Sequence, residues 1–88
     1  MDARQQLNDL SVATRRALTK AITFDPHSQT YGCRISETRL TSTGTYQEFV
    51  IAEVRGQPDK TTAEVAASAY AVHALNADIV RVATAVYR

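Results

Sequence analysis

The sequence predicts a small α+β domain spanning residues 1–88, and three observations support this class. Two segments place apolar residues at helical spacing, the segment between them alternates with the period of a β-strand, and a glycine-containing turn divides that segment in two. The 88 residues are 44% hydrophobic and 22% charged, an ordinary globular composition that can build one thin core. We therefore expect a small sheet backed by helices.

The first predicted helix covers residues 2–24. Its apolar residues recur at intervals of three and four, as in the pair Leu18 and Ile22, which predicts one apolar stripe. Asp2 suits the N-cap because its carboxylate can accept hydrogen bonds from free backbone N–H groups. Pro26 ends the helix because the residue before a proline is driven out of the helical region.

An antiparallel hairpin is predicted after this helix. Tyr31, Cys33 and Ile35 alternate with polar residues and glycine, as in a strand with one buried face. Residues 46–54 are rich in β-branched and aromatic residues and predict a second strand. The turn at residues 41–44 between them ends in glycine, so the two strands form a hairpin.

A second helix is predicted from Thr61. Thr61 and Glu64 match a capping box, in which each side chain satisfies the other's free backbone N–H. Val65, Val72 and Leu75 then supply an apolar stripe, and many alanines raise the helix propensity.

The segment after the second helix allows two interpretations. We favour a third strand over Ile79–Tyr87, because β-branched residues dominate it and because a helix continuing to its end would span about 39 Å, longer than a domain of roughly 30 Å diameter. The order is then α-β-β-α-β, with a right-handed crossover into the last strand. The alternative is α-β-β-α with one long C-terminal helix, supported by the heptad spacing of Val72, Ile79 and Val86.

Composition argues against several classes of protein. The formal net charge of +1 does not favour a dedicated polyanion binder, and no apolar run reaches the roughly 20 residues of a membrane helix. The N-terminus lacks the apolar core of a secretory signal, and the single Cys33 fits a reducing interior. We therefore expect a cytoplasmic protein with no membrane, metal or cofactor.

No residue constellation predicts catalysis. Cys33 shares a strand face with Tyr31 and Ile35 and is therefore expected in the core. To act as a nucleophile it would need His27 as a basic partner, but His27 lies in a polar loop. Glu37 and Glu48 could face each other across the hairpin, but a solvated polar face explains them more simply. The sequence therefore predicts a protein that is not an enzyme.

The leading hypothesis is a protein-binding or self-assembling module, most simply a homo-oligomer. A thin core and an Ala/Val-rich C-terminal third leave more apolar surface than one small sheet needs, and chains of this size often gain stability by association. The predicted partner-binding residues are Val72, Leu75, Ile79, Val82 and Val86. Such a profile suits a small phage or mobile-element accessory protein.

The alternative hypothesis is nucleic-acid backbone binding through a basic face of the first helix. Arg15, Arg16 and Lys20 form its basic cluster, and Lys60 would join them from the start of the second helix. A solvated helix end explains the same cluster, since cations suit the negative end of a helix dipole.

One resemblance bears on that alternative. Residues 60–75, with their closely spaced alanines, are similar to the start of the last helix of double-stranded RNA-binding domains, and residues 31–56 are similar to their strands. That family has a lysine-rich helix start, which is reduced here to Lys60. It also has a third strand before the last helix, and the predicted elements leave no residues for one between Gly56 and Thr61. The sequence therefore does not assign the chain to that family.

Overall fold

The computed structural model describes residues 2–86, and the side chains of residues 2–78. The predicted α+β class is confirmed, with two helices and an antiparallel hairpin, but the element order is α-β-β-β-α. The elements are α1 (Ala3–Thr14), β1 (Leu18–Asp25), β2 (Thr30–Leu40), β3 (Tyr46–Gln57) and α2 (Lys60–Val86). Within residues 2–86, no strand follows the second helix, so the predicted C-terminal strand and the crossover into it are absent.

The predicted extent of the first helix is wrong, because α1 ends at Thr14. Arg15 adopts the left-handed conformation with φ 55°, and its N–H is directed at the carbonyls of Ser11 and Val12. This arrangement satisfies carbonyls that would otherwise lack partners at a helix end. The predicted N-cap is confirmed, since the Asp2 carboxylate accepts hydrogen bonds from two backbone N–H groups of the first turn.

The residues assigned to the second half of that helix form β1 instead. Leu18 and Ile22 lie four residues apart, and this interval fits a helical period of 3.6 as well as a strand period of two. Pairing with β2 selects the strand, with an unbroken antiparallel register from Leu18 opposite Glu37 to Asp25 opposite Thr30.

The sheet has the order β1-β2-β3, and both of its strand pairs are antiparallel. The β2–β3 register shifts twice, between Tyr31 and Cys33 and between Ile35 and Ser36. Gly56 lies next to the first shift with φ 70°, a conformation that favours glycine. Edge strand β3 is therefore irregular, whereas edge strand β1 is regular.

Both helices lie on one face of the sheet. Ala63, Ala67 and Ala71 of α2 are fully buried and lie in the core with Cys33, Ile35, Ala52, Val54, Leu7 and Leu75. The two helices run in the same direction. The start of α1 shares a surface depression with Glu64, and the end of α1 shares another with Asn76, which lies farther along α2. The core therefore lies between the alanine face of α2 and the two strands β2 and β3, and α1 adds Leu7 to it.

The prediction of a strand over Ile79–Tyr87 is wrong where the structure describes that segment, and the alternative of one long C-terminal helix is confirmed. No glycine or proline follows Pro58, so each further residue adds a helical hydrogen bond to a helix already held by its packing. The size argument fails because the molecule is elongated, with a longest extent of 49 Å. The 12 residues of β3 span about 40 Å and match the 27 residues of α2 in length.

The predicted capping box is also wrong. The N-cap of α2 is Asp59, whose carboxylate accepts a 2.7 Å hydrogen bond from the backbone N–H of Thr62, while its carbonyl accepts from the N–H of Ala63. The hydrogen bond from the Thr62 backbone to the carboxylate is the main cause that holds the pKa of the Asp59 carboxyl below its usual value. Thr61 lies inside the first turn of the helix.

We therefore predict that Asp59→Ala lowers the melting midpoint by roughly 4–8 °C, because it removes the cap, while Thr61→Ala stays close to wild type. Asp59→Asn should retain most of the stability at neutral pH, since asparagine also caps helices. Because the folded-state pKa is lowered, the contribution of the charge is present at neutral pH and is lost as the pH falls below about 4. Thermal unfolding monitored by circular dichroism between neutral and acidic pH measures both effects; equal losses in the Asp59 and Thr61 alanine variants would contradict this cap.

Candidate binding surfaces

The predicted partner-binding residues do not form one exposed seam in the described part of the chain. Leu75 is only 2% exposed and belongs to the chain's own core, and Val72 is half-buried against that core. Ile79, Val82 and Val86 belong to α2, but their side chains lie outside the described residues. Their role in partner binding stays a prediction.

The four predicted nucleic-acid-binding cations are spread over separate elements. The predicted basic face of the first helix does not form, because Arg15 is the C-cap of α1, Arg16 follows it in the linker and Lys20 lies in β1. Lys60 is the first residue of α2. Lys20 donates to Glu64 at 3.1 Å, so its charge is partly neutralised. This arrangement weakens the case for a phosphate-binding patch.

Arg16 belongs to a cluster of charged residues that connects the α1–β1 linker with β2 and α2 and that reaches β3 through the ring of Phe49. Its guanidinium lies 2.8 Å from an Asp78 carboxylate oxygen and 3.4 Å from a Glu37 carboxylate oxygen. Glu37 is 6% exposed and also accepts a hydrogen bond from Arg39, whose guanidinium lies over the ring of Phe49. Two arginines thus compensate one buried carboxylate, as burial of a charge requires.

The register excludes the possible pairing of two carboxylates across the hairpin, and the solvated polar face expected for them is wrong for Glu37, which is buried. Glu37 lies opposite Phe49, and Glu48 lies opposite Thr38. Neighbouring residues of a strand point to opposite faces, so Glu37 faces the helices while Glu48 faces solvent. The two carboxyl groups cannot act as an acid–base pair.

Cys33 lies in the core, as predicted. It is 1% exposed, and burial raises the pKa of its thiol, so the thiol is protonated and inaccessible at neutral pH. His27 lies in the exposed turn between β1 and β2, where its backbone N–H donates to the Asp25 carboxylate. A protonated, enclosed thiol is a poor nucleophile.

Besides Phe49 and Val50 in the middle of β3, two further sets of exposed apolar side chains lie on the sheet. Ile22 and Phe24 in β1 are 41% and 53% exposed, and the ring of Phe24 contacts that of Tyr31 with a centroid distance of 5.0 Å. Leu40 and Tyr46 lie opposite each other near the tip of the β2–β3 hairpin and are also exposed. Both sets sit beside sheet edges, and neither was singled out as a binding surface from the sequence.

A depression of about 580 Å³ lies at the end of the sheet near the β1–β2 turn. Its charged lining residues are Asp25, Arg34, Glu53 and Arg55, with Arg55 ion-paired to Glu53 at 2.9 Å. Because the two signs balance, this depression has no clear preference for an anion or a cation.

The described residues contain no group of three or more histidine, cysteine or carboxylate side chains placed to hold a metal ion. Within the same residues, no helix combines the length and apolar character needed to cross a bilayer.

Comparison with known proteins gives no relative: no family model, curated protein or solved structure matches this chain.

The buried charge cluster generates a stability prediction. Glu37→Ala should destabilise the fold by about 1–2 kcal/mol, because it removes the charge-assisted contacts with Arg16 and Arg39, while Arg16 keeps Asp78 and the half-exposed Arg39 keeps solvent as partners. Glu48→Ala is the matched control on the same hairpin and should change stability by less than about 0.5 kcal/mol, because Glu48 is exposed. Urea unfolding monitored by circular dichroism measures both, and similar small effects would show that the cluster contributes little.

Proposed function

We propose that this chain is a non-enzymatic protein-binding module that associates with a second copy of itself. The observation that carries the proposal is its surface area of 6239 Å², compared with about 5,100 Å² for a compact monomer of 9.7 kDa. The excess of about 1,100 Å² is similar to the roughly 800 Å² that each partner buries in a standard interface.

The dimensions of the chain support the same proposal. Its radius of gyration is 14.7 Å, whereas a compact chain of 88 residues has about 12 Å. An elongated, two-layer molecule with an alanine-rich core buries little apolar area per residue. Association would cover exposed side chains such as Ile22 and Phe24 and add to a thin core.

The mass in solution tests this proposal. Sedimentation equilibrium at micromolar concentrations should give a mass of twice 9.7 kDa, and the melting midpoint should rise with protein concentration. A mass of 9.7 kDa with a melting midpoint that does not depend on concentration would overturn self-association.

A second candidate function is binding to the backbone of duplex RNA. The observation that favours it is the element order, a helix, three antiparallel strands and a helix, with both helices on one face. The resemblance to double-stranded RNA-binding domains implies this order. The third strand, for which no residues were found between Gly56 and Thr61, is present because residues 18–25 form β1 before the hairpin. The dispersed cations and the ion-paired Lys20 make it the weaker candidate.

Salt dependence separates the two candidates. Backbone binding predicts that a labelled RNA duplex of about 16 base pairs binds at low salt, with a log–log slope of about −0.9 per phosphate neutralised. Lys60→Ala should then reduce the slope by about one, while Val50→Ala, on the outer face of the sheet, should not. No change in fluorescence anisotropy at low salt would remove RNA binding as a candidate.

A further inference from the structure

We propose that the second copy binds along the free edge of β1, so that two β1 strands pair antiparallel and join two three-stranded sheets into one sheet of six. The inference rests on the proposed self-association and names its interface. It follows from the regularity of this edge, the direction of its backbone groups and its exposed apolar side chains.

The two edges of the sheet differ in their suitability for pairing. Edge strand β3 carries two register shifts, and such irregularities protect an edge from pairing with another chain. The eight residues of β1 pair with β2 without a shift, and proline appears only after the strand, at Pro26. A regular edge without proline presents a continuous row of unpaired backbone groups.

One hydrogen bond shows which residues of β1 carry those groups. The backbone N–H of Thr38 donates to the carbonyl of Ala17 at 3.2 Å, and these two residues continue the β1–β2 register. In an antiparallel pair, hydrogen-bonded and non-hydrogen-bonded positions alternate. Residues 19, 21 and 23 therefore bond to β2, and the N–H and C=O groups of Leu18, Lys20, Ile22 and Phe24 point to the free edge.

A two-fold axis perpendicular to the sheet fixes the possible registers. Such an axis keeps each residue opposite one on the same face, so one residue of β1 lies opposite itself. The registers that pair most of Leu18–Asp25 are those centred on Ala21 or Ile22. Centring on Ala21 places Leu18 opposite Phe24 and Lys20 opposite Ile22 of the second copy, which gives roughly eight hydrogen bonds. Centring on Ile22 would place Leu18 opposite Pro26, which has no N–H to donate. We therefore infer the register centred on Ala21.

The side chains on the helix-facing side of β1 fit this arrangement. Ile22 and Phe24 are 41% and 53% exposed, whereas Cys33 and Val54, in the same row as Ile22, are buried under α2. A second sheet alongside β1 would bring Phe24 against Leu18 of the other copy. No like charges meet, because the β1 side chain opposite Lys20 is Ile22, and Lys20 keeps its ion pair with Glu64.

A pair of opposite substitutions at Ile22 tests the interface and its register. The residue opposite position 22 is Lys20 of the second copy, so Ile22→Lys should weaken dimerisation by roughly tenfold or more, because two like-charge pairs are created. Ile22→Glu should retain the dimer, because the same two contacts become attractive. Both variants should fold, since Ile22 is already 41% exposed.

Val50→Lys is the matched control, because Val50 is 55% exposed on the other edge strand and should not affect the dimer. Sedimentation equilibrium gives the dissociation constants, and circular dichroism confirms the fold of each variant. A dimer that persists in Ile22→Lys would overturn the β1 interface but leave self-association standing. Dissociation of Ile22→Glu as well would overturn the register, and a monomeric wild type would overturn the proposed function itself.

Hydrogen exchange of the wild-type chain provides a test without substitutions. The amides of Thr19, Ala21 and Thr23 bond to β2 and should be protected at every concentration. The amides of Lys20, Ile22 and Phe24 should exchange quickly in dilute protein and become protected as the dimer forms. If these three amides gain no protection while the mass doubles, the copies associate through another surface.

Discussion

The close contact between the alanine face of α2 and the sheet is the constraint on which the rest of the structure depends. Ala63, Ala67 and Ala71 are fully buried, and their short side chains let the helix backbone approach β2 and β3 closely. The same contact limits how much of the sheet the helix can cover. Ile22 and Phe24 of β1 remain exposed as a consequence, so the packing that forms the core also creates the surface we propose for association.

A second constraint fixes the end of the sheet where α1 gives way to β1. Arg16 follows the helix cap and reaches both Glu37 of β2 and Asp78 of α2. A buried carboxylate is tolerated only when it is paired, so Glu37 requires the linker and the sheet to keep their relative positions. This role also removes Arg16 from any surface that could bind phosphate. Within the basic cluster predicted from the sequence, Arg16 therefore stabilises the fold.

The candidate surfaces show how far the sequence could specify a site. The core position of Cys33 followed from its two-residue spacing from Tyr31 and Ile35, because a period of two places all three on the same face of the strand. The basic cluster and the pairing of Glu37 with Glu48 could not be judged in this way, because both depend on register and on where a helix ends. The exposure of Phe24 was equally hidden, since it depends on how far α2 reaches across the sheet.

The sequence by itself determined the α+β class, the β2–β3 hairpin and the existence of two helices, because periodicity and turn composition act locally. Tertiary structure decided the two ambiguous segments. At residues 18–25 the interval between Leu18 and Ile22 satisfies both periods, and pairing with β2 selected the strand. After Asn76, β-branched residues favoured a strand, but a helix already held on the sheet extends more easily than a new strand begins. Pairing with the distant strand β2 outweighed local preference at residues 18–25, whereas continuation of a helix already formed outweighed it after Asn76.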